Sequence, residues 1–258
     1  MTNILPASGG RLECYLINLD RAAGRLADMD ARLRAAGIGY RRVSAVDGAT
    51  LPDALPEFSA RGYALLHGRR RTPPEIGCYL SHVACARAFL ETDADYALIL
   101  EDDVVPEADL LATIDKACLS AGTWDILRLS SVNSGRKYPY KRLDATRSLA
   151  IALTREKGAG AYVVNRKAAQ WIITRLLPMR LAYDIAFDLE FLSGLKAAFV
   201  WPLPADQNTG YETQIQKRIQ TFKLPFYRYL TVFPYRLYLE TTRLILRSAR
   251  LLLNRVRA

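Results

Sequence analysis

The segment Tyr96-Ala97-Leu98-Ile99-Leu100-Glu101-Asp102-Asp103-Val104 ends a short apolar run in three consecutive carboxylates. An apolar run of about 4–8 residues reads as a buried strand. Acid at its C-terminal end then stands at the sheet edge where open α/β sheets bind their ligands. Three adjacent anions repel one another, and a hard divalent cation with oxygen ligands relieves that repulsion, so magnesium or manganese carrying a nucleotide diphosphate is the chemistry these residues suggest. The competing reading makes Asp102 and Asp103 caps of a helix opened by Pro106-Glu107-Ala108. Upstream, Glu75, Tyr79 and His82 share one face of a helix that leads directly into the acidic strand.

The elements that must position these groups follow from periodicity. Residues 12–19 are apolar enough for a first strand, 21–36 read as a helix stopped by Gly37, and 40–46 read as a second strand closing at the turn dipeptide Asp47-Gly48. This βαβ opening implies a parallel sheet. The Pro- and Gly-punctuated stretch 51–74, ending in Arg69-Arg70-Arg71, is expected to be irregular or mobile, and a lid is one reading of it. A helix from Pro73-Pro74 to about residue 92 precedes the acidic strand. Further strands are expected at 125–129, 160–164 and 197–201, with helices at 108–120 and 166–176. Residues 131–157 are expected to form long loops or a short hairpin. The fold class is therefore α/β with a mainly parallel central sheet.

The chain has 258 residues, 50% of them hydrophobic, which supports one large domain or a domain with an appendage. Cys14, Cys78, Cys85 and Cys118 are too widely spaced for a Cys-x-x-Cys site and are expected to be buried in a reducing compartment. Residues 1–10 lack a signal-peptide pattern and no run of about 18 apolar residues occurs, so a soluble or peripherally attached cytoplasmic protein is expected. The formal net charge of +10 is concentrated in the tail, where ten basic residues from Lys217 onward face the single acid Glu240. Arg236, Arg243, Arg250 and Arg257 recur every seven residues, with leucines filling the remainder, which describes a basic amphipathic helix. The expected division is 1–216 for the domain and 217–258 for the tail. The expected partner of the tail is an anionic membrane surface, the inner face of the cytoplasmic membrane. Nucleic acid is not expected, because no helix-turn-helix, zinc or RNA-binding motif is present.

Four motifs, in order, resemble glycosyltransferase family 25: Ile17-Asn18-Leu19-Asp20-Arg21, Ala45-Val46-Asp47-Gly48, Glu75-Ile76-Gly77-Cys78-Tyr79-Leu80-Ser81-His82, and Ala97 to Asp103. The family includes bacterial lipooligosaccharide galactosyltransferases and collagen galactosyltransferases. The resemblance is dense over about residues 12–105 and thinner afterwards. It implies a GT-A-like fold, a UDP-sugar donor, a saccharide or glycolipid acceptor, and inverting transfer of a hexose such as galactose. It implies a divalent metal held by Asp103 with Glu101 or Asp102. It also implies donor contacts from Asn18, Arg21, Arg25, Asp47, Gly48, Glu75, Ser81, Glu101 and Asp102. For Arg25, an ion pair with Asp28 or Asp30 is the competing expectation.

Inversion needs a base on the face opposite the departing nucleotide. Asp184 and Asp188 are spaced i, i+4 and would align if their segment is helical. Either serves, Asp188 ranking first, and His82 is the alternative. Two other functions compete with transfer. Nucleotidylyl transfer would want a glycine-rich phosphate loop after the first strand, and Asn18-Leu19-Asp20-Arg21 is not one. A non-catalytic basic membrane or nucleic-acid module draws only on the tail charge.

Overall fold

The computed structural model describes residues 2–133, 135–206 and 221–257. Strands β1 (Thr2–Ile4) and β2 (Arg11–Asn18) open the chain, and helix α1 (Ala23–Ala35) crosses to β3 (Arg41–Ser44), which pairs parallel with β2. The expected βαβ unit is thus present. The stretch expected to be irregular instead contains α2 (Ala60–His67). Ser59 caps it by accepting from the Gly62 amide, and Gly68 ends it at φ 74°. Tyr63 anchors this helix in the core. Helix α3 (Pro73–Leu90) leads into β4 (Tyr96–Glu101), followed by β5 (Val105–Pro106) and α4 (Leu110–Cys118). Because α4 starts at Leu110 after Asp109, neither Asp102 nor Asp103 caps it.

Strand β6 (Ile126–Arg128) is followed by the antiparallel pair β7 (Lys137–Arg142) and β8 (Ser148–Ala152), so the hairpin alternative holds for that region. The chain continues through β9 (Ala161–Asn165), α5 (Arg166–Arg175), α6 (Tyr183–Phe187), β10 (Ala197–Trp201), β11 (Ala205–Asp206) and α7 (Tyr229–Arg257). The main sheet runs β1-β2-β4-β9-β6-β10-β8-β7, with β3 also on β2. Strands β2, β3, β4, β6 and β10 point one way, while β9 is antiparallel to both β4 and β6. The architecture is α/β with a mixed sheet in which that shared direction brings several strand ends to one edge.

Both faces of the sheet are covered, which explains why β4, and β2 from Cys14 to Ile17, read as apolar runs. Ile99 and Tyr15 face α3 and α5, whereas Leu98, Leu100 and Leu16 face α1 and α4. Truncating one of these fully buried leucines to alanine costs about 2–5 kcal/mol.

Helix α7 confirms the expected tail helix but reverses its orientation. Its 29 residues span about 43 Å. Arg243 and Arg247 are buried against the body, and Arg250 donates to the Thr123 and Ala197 carbonyls at 2.7 and 3.2 Å. Outside lie Leu230, Leu237, Ile245, Leu252 and Val256, all more than 60% exposed. Of the arginine stripe, Arg243 and Arg250 therefore turn to the body, whereas Arg236 stays exposed. Lys217, Arg218 and the 216/217 division lie outside the described residues, as does the side chain of Arg257. Among the described residues no helix is long and apolar enough to cross a membrane.

Candidate active site

The C-terminal ends of β2 and β4, the loop after β3 and the first turns of α3 enclose a cavity of about 360 Å³. Its wall includes Asn18, Arg21, Arg25, Asp47, Gly48 and the three acids. The loop after β3 is held by close packing. The Val46 amide donates to Ser81 Oγ at 2.9 Å, and Ser81 Oγ donates to the Gly77 carbonyl at 2.7 Å. A Cβ on Gly48 would lie 1.8 Å from the Pro73 carbonyl oxygen, and one on Gly77 2.4 Å from that of Val46. Only glycine permits this approach of loop to helix. Ser81, expected to contact the donor, is buried in the cavity wall and also braces this loop.

The three acids have separate environments. Asp102 accepts from Asn18 Nδ2 at 2.7 Å and pairs with Arg25 Nη1 at 2.9 Å, so Arg25 turns to the acidic strand end and not to Asp28 or Asp30. Burial raises the Asp102 carboxyl against the opposing pull of Asn18 and Arg25. Glu101 meets His82 Nε2 at 3.0 Å and Cys78 Sγ at 3.7 Å. Burial acts to raise this carboxyl, but His82, Cys78 and Arg25 together hold the group below its ordinary range. His82 is fixed from its other side by the Tyr162 hydroxyl at 2.9 Å and stacks on the Tyr183 ring at 4.0 Å. Arg21, more exposed, pairs with Asp47, whose carboxyl is held low by the Ala49 amide and by that arginine.

Asp103 differs from both neighbours. Its Oδ1 is buried with no hydrogen-bond partner among the described residues, and burial together with Glu101 and Asp102 pushes its carboxyl up to about 7. An orphaned carboxylate oxygen beside two other acids suits a hard divalent cation. Cys78, His82 and Glu101 also bring ligand atoms within 4.8 Å of one another. Burial and the Glu101 and Asp184 carboxylates keep the Cys78 thiol well above its ordinary pKa and hence protonated, which makes it a poor ligand.

The structure separates the two aspartates expected to act alternately as base. Helix α6 stops at Phe187, so Asp188 is its terminal cap and points elsewhere. It is fully buried and pairs with Arg247 at 2.9 Å, Arg243 at 3.1 Å and Arg128 at 3.4 Å. A carboxylate so enclosed cannot reach an acceptor hydroxyl, and the expectation for Asp188 is corrected to an internal anion. Asp184 is half-buried and lines a second cavity, and burial raises its carboxyl.

Glu75, expected at the donor, also faces that second cavity. It is buried and accepts from Tyr63 and Arg69. Beside it, burial followed by the charges of Arg69, Arg236 and Arg155 lowers His67 to about 3. An unfolded histidine titrates near 6.5, about 3 units higher, so the unfolded chain takes up this proton first as pH falls. The stability held by neutral His67 is complete above about pH 6.5 and drains away toward pH 3, with a loss near pH 5 on the order of 2 kcal/mol. His67→Gln should flatten the acid limb of urea-unfolding stability between pH 6.5 and 4, and an unchanged slope would contradict the assignment.

The order of strand ends, acids and glycines matches a sequence pattern already defined. The model for Glycosyltransferase family 25 (LPS biosynthesis protein) matches residues 11–187, more than half of the chain. The chain belongs to glycosyltransferase family 25. Within that family it is 25% identical over 206 residues to procollagen galactosyltransferase 1-A of Xenopus laevis, covering 72% of this chain and 33% of that protein. It is 28% identical over 182 residues to human procollagen galactosyltransferase 2, covering 65% and 28%. An Anopheles gambiae glycosyltransferase 25 family member is 35% identical over 95 residues, 35% of this chain and 16% of that protein. The chain spans a third or less of the length of these relatives. Among solved structures, A197 from STIV has a TM-score of 0.42 at 15% identity over 73% of this chain and 80% of that one.

Of the donor-site residues expected from sequence, Asn18, Arg21, Arg25, Asp47, Gly48, Ser81, Glu101, Asp102 and Asp103 come together, with His82. Gly77 and Cys78 lie within the Glu75–His82 motif but carry no donor role in the sequence reading, and Tyr162 and Tyr183 join the site from β9 and α6, where the sequence offers no local signal for them.

Proposed function

We propose that this family 25 chain transfers a hexose, galactose, from a UDP-sugar to a lipooligosaccharide or LPS saccharide with inversion. The observation that carries the reading is the strand-end cavity, where Arg21 and Arg25 lie beside an acidic triplet containing an orphaned carboxylate oxygen. Arginine donors suit a diphosphate. Asp103, with Glu101 beside it, would hold Mn²⁺ or Mg²⁺, which when bound supplies charge neutralisation for the leaving diphosphate. Asn18 and Arg25 fix Asp102, and the His82–Tyr162–Tyr183 group fixes Glu101, so the acid end is preorganised before any ligand arrives.

Asp184 is the base in this reading. It takes the acceptor hydroxyl proton as the glycosidic bond forms, while the bond from the anomeric carbon to UDP breaks and the electron pair leaves with the diphosphate. Asp184→Asn should lower kcat by about 10²–10⁴ with donor affinity unchanged. Its carboxyl lies above the ordinary range, so wild-type kcat should rise with pH through that raised value. An equal loss in donor affinity would put Asp184 in the nucleotide site.

The reading also holds that α7 meets an anionic membrane, now through its outer apolar ridge. Aromatics gather at one end of the ridge in Phe226, Tyr227 and Phe233, and Lys223, Arg236 and Arg255 border it as exposed cations. This attachment would make the protein peripheral on the cytoplasmic face of the membrane. A panel of nucleotide sugars with and without manganese, read by thermal stabilisation and slow hydrolysis, tests the donor. The reading requires a UDP-hexose to outperform other nucleotides, and equal responses would refute it.

A further inference from the structure

Beside the donor cavity, sharing the first turn of α3 as a wall, is a second cavity of about 370 Å³. Pro73, Pro74 and Cys78 face the donor side, while Glu75 faces the second cavity. Its lining includes Arg69, Arg155, Lys157, Lys223, Arg228 and Arg236, against the carboxylates Glu75 and Asp184. Glu75 is already engaged by Arg69 and Tyr63. Among the described residues no carboxylate forms an ion pair with Arg155, Lys157, Lys223, Arg228 or Arg236.

The cations come from four separate places and converge. Arg69 and Lys223 face each other across a bridge between extended segments, with Arg70 N donating to Phe222 O at 2.8 Å and Leu224 N to Gly68 O at 3.0 Å. Arg155 and Lys157 come from the loop before β9, and Arg228 and Arg236 from the start of the tail. Burial and the charges of Arg155, Arg69 and Arg228 hold the Arg236 guanidinium below its ordinary pKa. Like charges gathered in a concave, partly desolvated space are unfavourable until an anion joins them. Among the described residues, five cations line this cavity without a carboxylate in an ion pair with them.

We propose that this cavity is a subsite for a phosphate monoester on the acceptor saccharide, seated by Arg155 and Arg236. It rests on the transferase reading above. Asp184, the base of that reading, lines the same cavity, so an anion seated there brings the saccharide that carries it to this carboxylate. Anionic phosphate also occurs on lipid headgroups, as a diester in phosphatidylglycerol, and the experiment separates the two sources.

The test uses full-length protein and two variants, Arg155→Gln and Arg236→Gln, with inorganic phosphate, glucose 6-phosphate, glucose and UDP plus manganese as probes of thermal stability. Inorganic phosphate and glucose 6-phosphate should stabilise the wild type, glucose should not, and the effect should persist in saturating UDP. Each variant should bind glucose 6-phosphate at least about tenfold more weakly, the loss of one charge-assisted contact of about 1.5–3 kcal/mol. UDP binding should be unchanged. Without ligand each variant should melt no lower than the wild type, because repulsion is relieved. A purely structural role would lower the unliganded melting temperature and leave phosphate affinity alone. Competition between UDP and phosphate would move the anion to the donor cavity and overturn the proposal, as would equal phosphate affinity in the variants. Sedimentation with phosphatidylglycerol and phosphatidylcholine vesicles provides the lipid arm. Variants that lose phosphatidylglycerol binding but keep glucose 6-phosphate binding would overturn the acceptor assignment in favour of a headgroup. If UDP fails to bind while glucose 6-phosphate still does, the transferase reading falls and the anion site stands.

Discussion

Asp103→Asn is expected to reduce hexose transfer by about 10²–10³ while leaving the fold intact, the scale seen when one electrostatic group aimed at a developing charge is removed. The expectation follows from what Asp103 does not do. Its Oδ1 makes no hydrogen bond among the described residues, and its carboxyl is pushed up to about 7 by burial and by Glu101 and Asp102. A group so placed is a burden on the unliganded fold. The amide should therefore melt at or slightly above the wild-type temperature at neutral pH, where part of the Asp103 population is charged. Parallel measurements of turnover and melting temperature check this, and a folded variant with wild-type turnover would remove Asp103 from the site.

Removing α7 should have the opposite pattern, a large loss of stability. Arg247 donates to both Glu190 oxygens at 2.8 Å and to Asp188 at 2.9 Å, and Arg243 pairs with Asp188 from the same helix. Deleting the helix leaves Asp188 and Glu190 in the core, with Arg128 the one remaining cation paired with Asp188 among the described residues. Breaking one side of a buried pair costs about 3–5 kcal/mol. The single change Arg247→Met should therefore lower the melting temperature by about 6–20 °C, and truncation before Tyr229 should abolish cooperative unfolding. Circular dichroism melts of the two proteins provide the check. A truncated chain that melts as the full chain does would return α7 to the status of a detachable appendage, as its sequence alone suggests.

That reversal shows where sequence reading reaches and where it stops. The helical period of the tail is visible because leucines and arginines alternate at helical spacing. Which face turns inward is decided by Asp188 and Glu190, more than fifty positions away. The same limit applies to the aspartate pair, since i, i+4 spacing aligns two side chains only if the helix continues, and α6 ends between them at Phe187. Helix α2 is hidden by prolines and glycines on both sides and is held by the burial of Tyr63 and the Ser59 cap, both long-range or single-residue effects. By contrast β2 and β4 are legible because both faces are buried, which gives each an apolar run of at least four residues, Cys14 to Ile17 and Ala97 to Leu100. The donor cavity is legible for the same reason. Polar residues directly after such runs, Asn18, Arg21, Asp102 and Asp103, fall at one sheet edge by topology alone. What folding adds is their pairing, Arg25 with Asp102 and Glu101 with His82.

The central claim is that a nucleotide diphosphate and its cation occupy the strand-end cavity. A crystal structure with UDP and Mn²⁺, with anomalous data to locate the metal, tests it most directly. The account predicts an anomalous peak in bonding contact with the Asp103 carboxylate and diphosphate density beside Arg21 and Arg25. Diphosphate in the cationic cavity lined by Arg155 and Arg236, or manganese on Cys78 and His82 without Asp103, would contradict it.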